Sequence, residues 1–266
     1  MSRQNYYKVR TFRRGREVDE EGVVALVKRE RAVQPRLGVR KLEVVLADEM
    51  KEMGIGIGRD RLFALLRRHG LLIERRRRGT RTTDARHGFR TYPNRYREME
   101  LTGPHQAWLS DLTYVRTEEG FVYASVISDA HSHKIVGHAA EQTLEATGSV
   151  RALEIALRQL PADVRPMHHS DRGIQYCCRE YVQRLEARGI EVSMTEEDHC
   201  YENAQAERLN GILKQEYGLG ETFRTKAQAR AAMKQAVWLY NTRRPHVSLG
   251  YRTPEQVHRE AAEAAA

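Results

Sequence analysis

The stretch WLSDLTYVRTEEGFVYASVIS, Trp108 to Ser128, alternates apolar and polar side chains on both sides of a short acidic turn. It reads as two strands, Trp108 to Arg116 and Phe121 to Ser128, joined by a turn at Glu118, Glu119 and Gly120. Working outward, His133 to Ala139 is a third strand beyond a polar turn. Thr143 to Leu160 then changes period to that of a long amphipathic helix, with Val150, Leu153, Ile155 and Leu157 among its apolar positions. Pro161 and Pro166 bracket the loop into a short fourth strand, MHHS, which ends at Asp171. A helix from about Cys178 to Arg188, a short strand from Glu191 to Met194, a polar loop and a helix from about Asn203 to Tyr217 follow. Three strands, helix, strand, helix, strand, helix implies an α/β fold: a mixed sheet flanked by helices.

That order is of the ribonuclease H type. Ahead of it the pattern is helical. Val23, Val24 and Val27 repeat at helical spacing behind Asp19, a plausible N-cap, and Pro35 closes that helix. A second helix runs from about Val39 to Met50. After the turn GIGIG (Gly54 to Gly58), a third, RDRLFALLRRHG, carries Leu62, Leu65 and Leu66 inward and Gly70 at its C-terminal cap. Three short helices with a glycine turn before the last match a helix-turn-helix unit, whose Arg59, Arg61, Arg67 and Arg68 would meet DNA. A helical cap or dimerisation element with solvated arginines gives the same pattern.

The 266 residues and 40% apolar content allow a sizeable core and exclude a small stapled scaffold. Lys and Arg number 45 against 36 Asp and Glu, a net charge of +9 that points to a polyanionic partner. The charge is concentrated: residues 1–16 hold six cations and no acid, and residues 75–97 hold nine arginines against Asp84 alone. The remainder is mildly acidic, so the expectation is a globular body with two basic arms. Arg75, Arg76, Arg77 and Arg78 suit bidentate contact with phosphate oxygens, and Phe89, Tyr92 and Tyr96 are interleaved among the arginines. No uncharged apolar run is long enough for a membrane span, and the basic opening lacks the apolar segment of a secretory signal. Three cysteines, two adjacent, argue against a disulfide framework, and a cytoplasmic, nucleoid-associated protein is expected.

Asp111 lies inside the first strand, Asp171 ends the fourth, and Glu207 lies in the following helix. If the first and fourth strands are neighbours, the two aspartates meet, and a helix across the strand ends can offer the glutamate. Clustered carboxylates repel unless a hard divalent cation sits between them. Two Mg²⁺ or Mn²⁺ ions per site would suit an in-line phosphoryl transfer. Taken singly, each acid reads equally as a turn cap or a surface charge.

The phrase HSDRGIQY (His169 to Tyr176), the interval of 35 residues between Asp171 and Glu207, and the helix NAQAERLNGILKQEY (Asn203 to Tyr217) resemble the D, D, x35, E catalytic core of transposases and retroviral integrases. Lys214, seven residues after Glu207 and so on the same helix face, stands where that family carries a basic residue contacting the DNA end. With YNTRRPHVSLGYRTPEQV (Tyr240 to Val257), PRLGVRKLEVVLADE (Pro35 to Glu49) and RLFALLRRHGLL (Arg61 to Leu72), the chain from about residue 20 to 258 resembles the OrfB product of the insertion-sequence family numbered three. The resemblance implies a ribonuclease H-like integrase core behind a helix-turn-helix-like helical domain, with Asp111, Asp171 and Glu207 as catalytic and metal-binding residues. It implies metal-dependent cleavage at insertion-sequence ends and transfer of the 3′-hydroxyl to target DNA. As partners it implies terminal inverted repeats and target DNA, an upstream OrfA product or OrfA–OrfB fusion, and a homo-oligomer on DNA. The chain departs from the usual pattern at Glu202 and at Arg208, Leu209, Asn210 and Gly211, none of which belongs to the triad.

The expected organisation is a basic arm over 1–16, a helix-turn-helix-like domain over 17–74, an arginine-rich linker over 75–100, the catalytic core over 101–220 and a C-terminal helical or tail region over 221–266. Retroviral integrases carry a His and Cys zinc module ahead of the core, but no cysteine here precedes Cys177, and that module is absent. His168, His169, Cys177, Cys178, His199 and Cys200 lack structural-zinc spacing and read as packing residues. Asp129 reads as a local cap, His169 as a phosphate contact or a core histidine, and Trp108 and Trp238 as packing residues. The cluster Asn241, Arg243, Arg244, Pro245 and His246 either docks on the core or holds DNA. Two other functions fit the same features: a catalytically dead DNA-binding regulator, and a nuclease of this fold without strand transfer.

Overall fold

A computed structural model describes residues 3–74, 89–196 and 203–264 of the chain. It divides into two compact units, Met1–Arg77 and Arg78–Ala266.

The first unit is helical: α1 (Arg3–Val33), α2 (Val39–Val45), α3 (Ala47–Glu52) and α4 (Arg59–Arg68). Its core joins Val23 and Val27 of α1 to Leu42 and Leu46 and to Leu62, Leu65 and Leu66 of α4. Two expectations are corrected. The first helix begins at Arg3, so Asp19 lies inside it rather than at its start, and the basic stretch is continuous with the helix. The expected second helix is two, because Leu46 leaves helical geometry (φ −98°, ψ 2°) while its buried side chain still anchors both halves.

The second unit is built on β1 (Ala107–Thr117), β2 (Gly120–Asp129), β3 (Ile135–Glu141), β4 (Met167–Ser170), β5 (Val192–Met194) and β6 (Thr222–Phe223). The sheet order is β3-β2-β1-β4-β5, with β6 also pairing β1. β1, β2 and β3 form an antiparallel meander, whereas β4, β5 and β6 join in parallel, which makes the sheet mixed as the element order implied. The β1–β2 turn closes at Gly120, whose φ of +104° only glycine adopts without strain.

The helices are α5 (Ala146–Gln159), α6 (Ile174–Cys177), α7 (Arg179–Ala187), α8 (Ala204–Glu216), α9 (Lys226–Thr242) and α10 (Pro254–Ala264). Two clusters fill the two sides of the sheet. In one, Trp108, Ile127 and Val136 meet Val150, Leu153 and Ala156 of α5 and Tyr181 and Leu185 of α7. In the other, Val115, Val122 and Ala124 meet Leu209 and Leu213 of α8 and Ala229, Met233, Val237 and Tyr240 of α9. The approach of α5 to β3 depends on Gly137, where a Cβ would stand 2.2 Å from the Ala152 carbonyl oxygen.

Trp108 is fully buried, as expected, but Trp238 is 56% exposed. The buried face of α9 runs through Ala229, Met233, Ala236, Val237 and Tyr240, and Trp238 lies off it. The C-terminal cluster docks on the core. Asn241 accepts from the Ile135 N–H and donates to its carbonyl, both at 2.9 Å. Arg244 donates to both carboxylate oxygens of Glu216 at 2.8 Å. α10 is held in turn by His258, whose Nδ1 lies 2.9 Å from Ser132 Oγ, and by a 2.9 Å ion pair between Lys134 and Glu255.

Candidate active site

Parallel pairing of β1 with β4 sets Ser110 opposite Ser170, and the next step of that register puts Asp111 abreast of Asp171. β4 ends there and β1 continues. Among the described residues no strand covers that edge of β1 from Asp111 to Val115, until β6 pairs at Arg116 and Thr117. The carboxylates therefore sit where the sheet edge opens.

Each aspartate is held by main chain. Asp111 Oδ1 accepts from the Leu112 N–H at 2.8 Å, and Asp171 Oδ1 accepts from the Gly173 N–H at 3.0 Å. α8 is tied down across the opening: Asn203 Nδ2 donates to the Ser110 carbonyl at 3.1 Å, and Asn210 Nδ2 donates to Asp111 Oδ2 at 2.8 Å. Glu207, itself exposed, lies in the first turn of this helix, one turn before Asn210. Its charge acts on Asp111, as does that of Asp171.

Burial, then the neighbouring Asp171 carboxylate, pushes the Asp111 pKa up to about 7; the bonds from Asn210 and Leu112 oppose the rise, and Glu207 adds to it. Three mutually repelling carboxylates with oxygen donors fit a hard divalent cation. As the side chains stand, no group of three His, Cys, Asp or Glu among the described residues is gathered at metal-holding distance. The aspartates are together; Glu207 stands nearby and exposed.

Lys214, two turns beyond Glu207 on α8, places its ammonium 4.5 Å from the centroid of the Tyr114 ring. Burial lowers its pKa, and Asp111 counteracts that. Sequence reading missed Asn210 as a participant. Its spacing was the available signal, since positions 207, 210 and 214 share one helix face. It also missed Tyr176, a buried ring whose hydroxyl pKa is raised by burial and then by the Asp111 and Asp171 carboxylates.

The remaining residues fall elsewhere. His169 is fully buried, with Nδ1 2.9 Å from Ser193 Oγ and its ring 5.0 Å from Tyr96, so it is a core histidine. His168 Nε2 lies 2.7 Å from Ser110 Oγ and 2.8 Å from the Tyr181 hydroxyl. Asp129 is a local cap: its oxygens accept from the Ser132 N–H and hydroxyl at 2.7 Å and from the His105 N–H at 2.6 Å. Cys177 packs on Met194, and the Cys178 thiol donates to the Gln175 carbonyl. In the helical unit, Arg61 and Arg68 reach Glu20 of α1 at 3.6 and 2.6 Å, Arg67 lies over the Phe63 ring, and Arg59 pairs with Asp60. Arg75 to Arg78, His199, Cys200 and Glu202 lie outside the described residues.

The integrase core domain family matches twice, over residues 102–200 and 188–254. The chain is 36% identical over 233 residues to the insertion element IS600 uncharacterized 31 kDa protein of Shigella sonnei, a match covering 85% of this chain and 84% of that protein. It is 33% identical over 215 residues to transposase InsF for insertion sequence IS3A of Escherichia coli (strain K12), covering 79% and 74% respectively. Among solved structures, a chain of the simian T-cell lymphotropic virus intasome in complex with PP2A regulatory subunit B56 gamma aligns with a TM-score of 0.50 at 17% identity, over 84% of this chain and 70% of that one. That last likeness is one of fold.

Proposed function

This chain belongs to the IS3-family insertion-sequence transposases with an integrase core, and on that premise we propose that it cuts DNA at the ends of its element and joins the freed 3′-hydroxyl to a target phosphodiester. The observation that carries the reading is the pair Asp111 and Asp171, side by side at an open sheet edge with Glu207 on the helix that crosses it. These three residues would hold the divalent cations, Mg²⁺ or Mn²⁺, with Glu207 supplied from α8. Held there, two cations would supply activation of the attacking oxygen and charge stabilisation at the leaving 3′ oxygen.

The chain's own residues do the positioning. The Leu112 N–H and Asn210 fix both oxygens of Asp111, and the Gly173 N–H fixes one oxygen of Asp171, so neither carboxylate has to reorganise when substrate arrives. Lys214 provides a cation beside the acids for the DNA backbone. Arg59, Arg61, Arg67 and Arg68 of the helical unit and Arg75 to Arg78 of the linker hold DNA through phosphate contacts. Arg61 and Arg68 do so only after exchanging Glu20 for phosphate. The protein works in the cytoplasm on the nucleoid as a homo-oligomer, together with or fused to the product of an upstream frame.

The test is conversion of supercoiled plasmid by the purified chain with Mg²⁺ or Mn²⁺, against Glu207→Gln. Metal-dependent nicked and joined strands that vanish in the variant are expected. Shortened strands without joined ones would select a nuclease. Activity unchanged by Asp111→Asn, Asp171→Asn and Glu207→Gln would refute the assignment of the acids and leave a DNA-binding regulator.

A further inference from the structure

Next to the carboxylates the β1–β2 hairpin carries a group of side chains that the chemistry above does not use. The register sets Tyr114 of β1 opposite Tyr123 of β2, and Arg116 opposite Phe121. Alternate residues share a face, so these four stand together on one side of the hairpin. The other side, with Val115, Val122 and Ala124, is core under α8 and α9. The Tyr114 and Phe121 rings meet edge to face with centroids 5.4 Å apart, and Tyr123 follows at 6.5 Å from Phe121. α5 reaches this side of β2 at Ser125, whose hydroxyl lies 3.0 Å from that of Ser149. Beyond it Phe121 is 46% exposed, and Tyr114 and Tyr123 are half-buried. Lys214 over Tyr114 and the exposed Arg116 add two cations beside the rings, with the exposed Glu118 and Glu119 in the turn at the far end.

An exposed phenylalanine among two tyrosines and two cations is poorly matched to duplex DNA, which offers phosphates but keeps its base faces stacked. It is matched to single-stranded DNA, whose bases stack on aromatic rings while cations track the backbone. The position agrees. Tyr114 follows Asp111 by three strand residues, about 10 Å, and although that odd spacing turns the two side chains to opposite faces, no strand among the described residues covers the edge of β1 between them. Lys214 bridges the two places, lying on Tyr114 and feeling the charge of Asp111.

We propose that Tyr114, Phe121 and Tyr123, with Arg116 and Lys214, form a stacking platform for unpaired bases of the strand whose phosphodiester lies at Asp111 and Asp171. The proposal rests on the reading of those acids as the strand-cleavage site. The platform holds open the bases beside the reacting phosphate and favours DNA whose flanks are frayed, mismatched or distorted.

The experiment uses the full chain in EDTA, so no chemistry is needed. Three DNA probes carry 5-iodo-2′-deoxyuridine: in a paired duplex, in an unpaired overhang of that duplex, and in a single strand. Photo-crosslinks are mapped by tryptic peptide, and binding to oligothymidylate and to duplex is measured for wild type, Phe121→Ala and Phe121→Tyr. The expected result is crosslinking from the two unpaired probes to the peptides ending at Arg116 and Lys134, which carry Tyr114, Phe121 and Tyr123. Phe121→Ala should weaken oligothymidylate binding about five- to 150-fold, the range for one lost base stack. Its duplex binding should be unchanged, and Phe121→Tyr should bind like wild type.

Crosslinks only to other peptides, equal crosslinking from the paired probe, or equal loss of single-strand and duplex binding in Phe121→Ala would overturn the proposal. So would a Phe121→Ala chain that changes oligomeric state while binding single strands normally, because the patch would then be an interface between copies. The catalytic reading is separable. Crosslinks at the platform in a protein that never cleaves would sink that reading and leave the platform as a single-strand site, whereas cleavage abolished by Glu207→Gln without platform crosslinks would do the reverse.

Discussion

Removing the side-chain amide of Asn210 should raise the pH at which the active site can accept a cation. Asn210 is buried and donates at 2.8 Å to Asp111 Oδ2, one of two hydrogen bonds that hold the Asp111 pKa down to about 7 against burial and two neighbouring acids. A hydrogen bond to an ionised group contributes about 1.5–3 kcal/mol, and about 1.36 kcal/mol corresponds to one pKa unit. Asn210→Ala therefore moves the carboxyl up by about one to two units. At pH 7.5 the ionised fraction falls from about three quarters to between about one fifth and one fiftieth. A proton on Asp111 competes with a metal ion for the same oxygens, so the loss appears directly in metal affinity. Mn²⁺ binding followed by electron paramagnetic resonance between pH 6.5 and 8.5 is the assay. At pH 7.5 the variant should bind about four- to fortyfold more weakly than wild type, with the gap closing severalfold by pH 8.5. Binding curves of variant and wild type that keep a constant ratio across this range would refute the reasoning. They would mean that Asn210 acts on the site without setting the ionisation of Asp111.

Arg244→Ala leaves Glu216, 20% exposed, without the two-pronged partner that reaches it, and should cost about 3–5 kcal/mol, read as a Tm lower by about 6–20 °C in a thermal melt. Gly137→Ala drives a methyl group into the Ala152 carbonyl oxygen and should separate α5 from β3, with insoluble expression or a severely lowered Tm; a variant as stable as wild type would contradict the packing described. Burial depresses His168 to about 3 and His258 to about 4, so both remain neutral in the folded protein while the unfolded chain takes up protons below about 6.5. Their contribution is present above about pH 6.5 and is lost as pH falls towards 4 and 3, and a Tm–pH series should show His258→Gln declining less steeply than wild type across that window.

The meander was legible because β1 and β2 bury one face and expose part of the other, so period two survives in WLSDLTYVR and FVYASVIS. The aspartate pair was legible only on the condition that the first and fourth strands are neighbours, which the parallel pairing of β1 with β4 fulfils. The part of α1 ahead of Val23 was not, because a cation-rich segment without an apolar stripe gives no helical period there. β6 is two residues long, too short to carry any alternation, and it is recruited by the unpaired end of β1. Asn210 escaped notice for a different reason. Its place on the face shared by Glu207 and Lys214 was a signal, but its role depends on a bond to Asp111, which is remote in sequence. Trp238 misled because size and apolarity suggest burial, while the face of α9 is decided by the alanines, methionine and tyrosine around it.

The anchoring of the C-terminal segment has a genetic consequence. Asn241 is bonded to Ile135, Arg244 to Glu216 at the end of the helix carrying Glu207, and His258 to Ser132 in the turn between β2 and β3. A stop codon between those for Thr225 and Asn241 thus removes the contacts to β3, to α8 and to the β2–β3 turn at once. Such alleles should be nulls by misfolding, even though the codons for Asp111, Asp171 and Glu207 are intact. When copies of such an element decay, a reading frame that retains all three acids but ends in this interval should be counted among the dead.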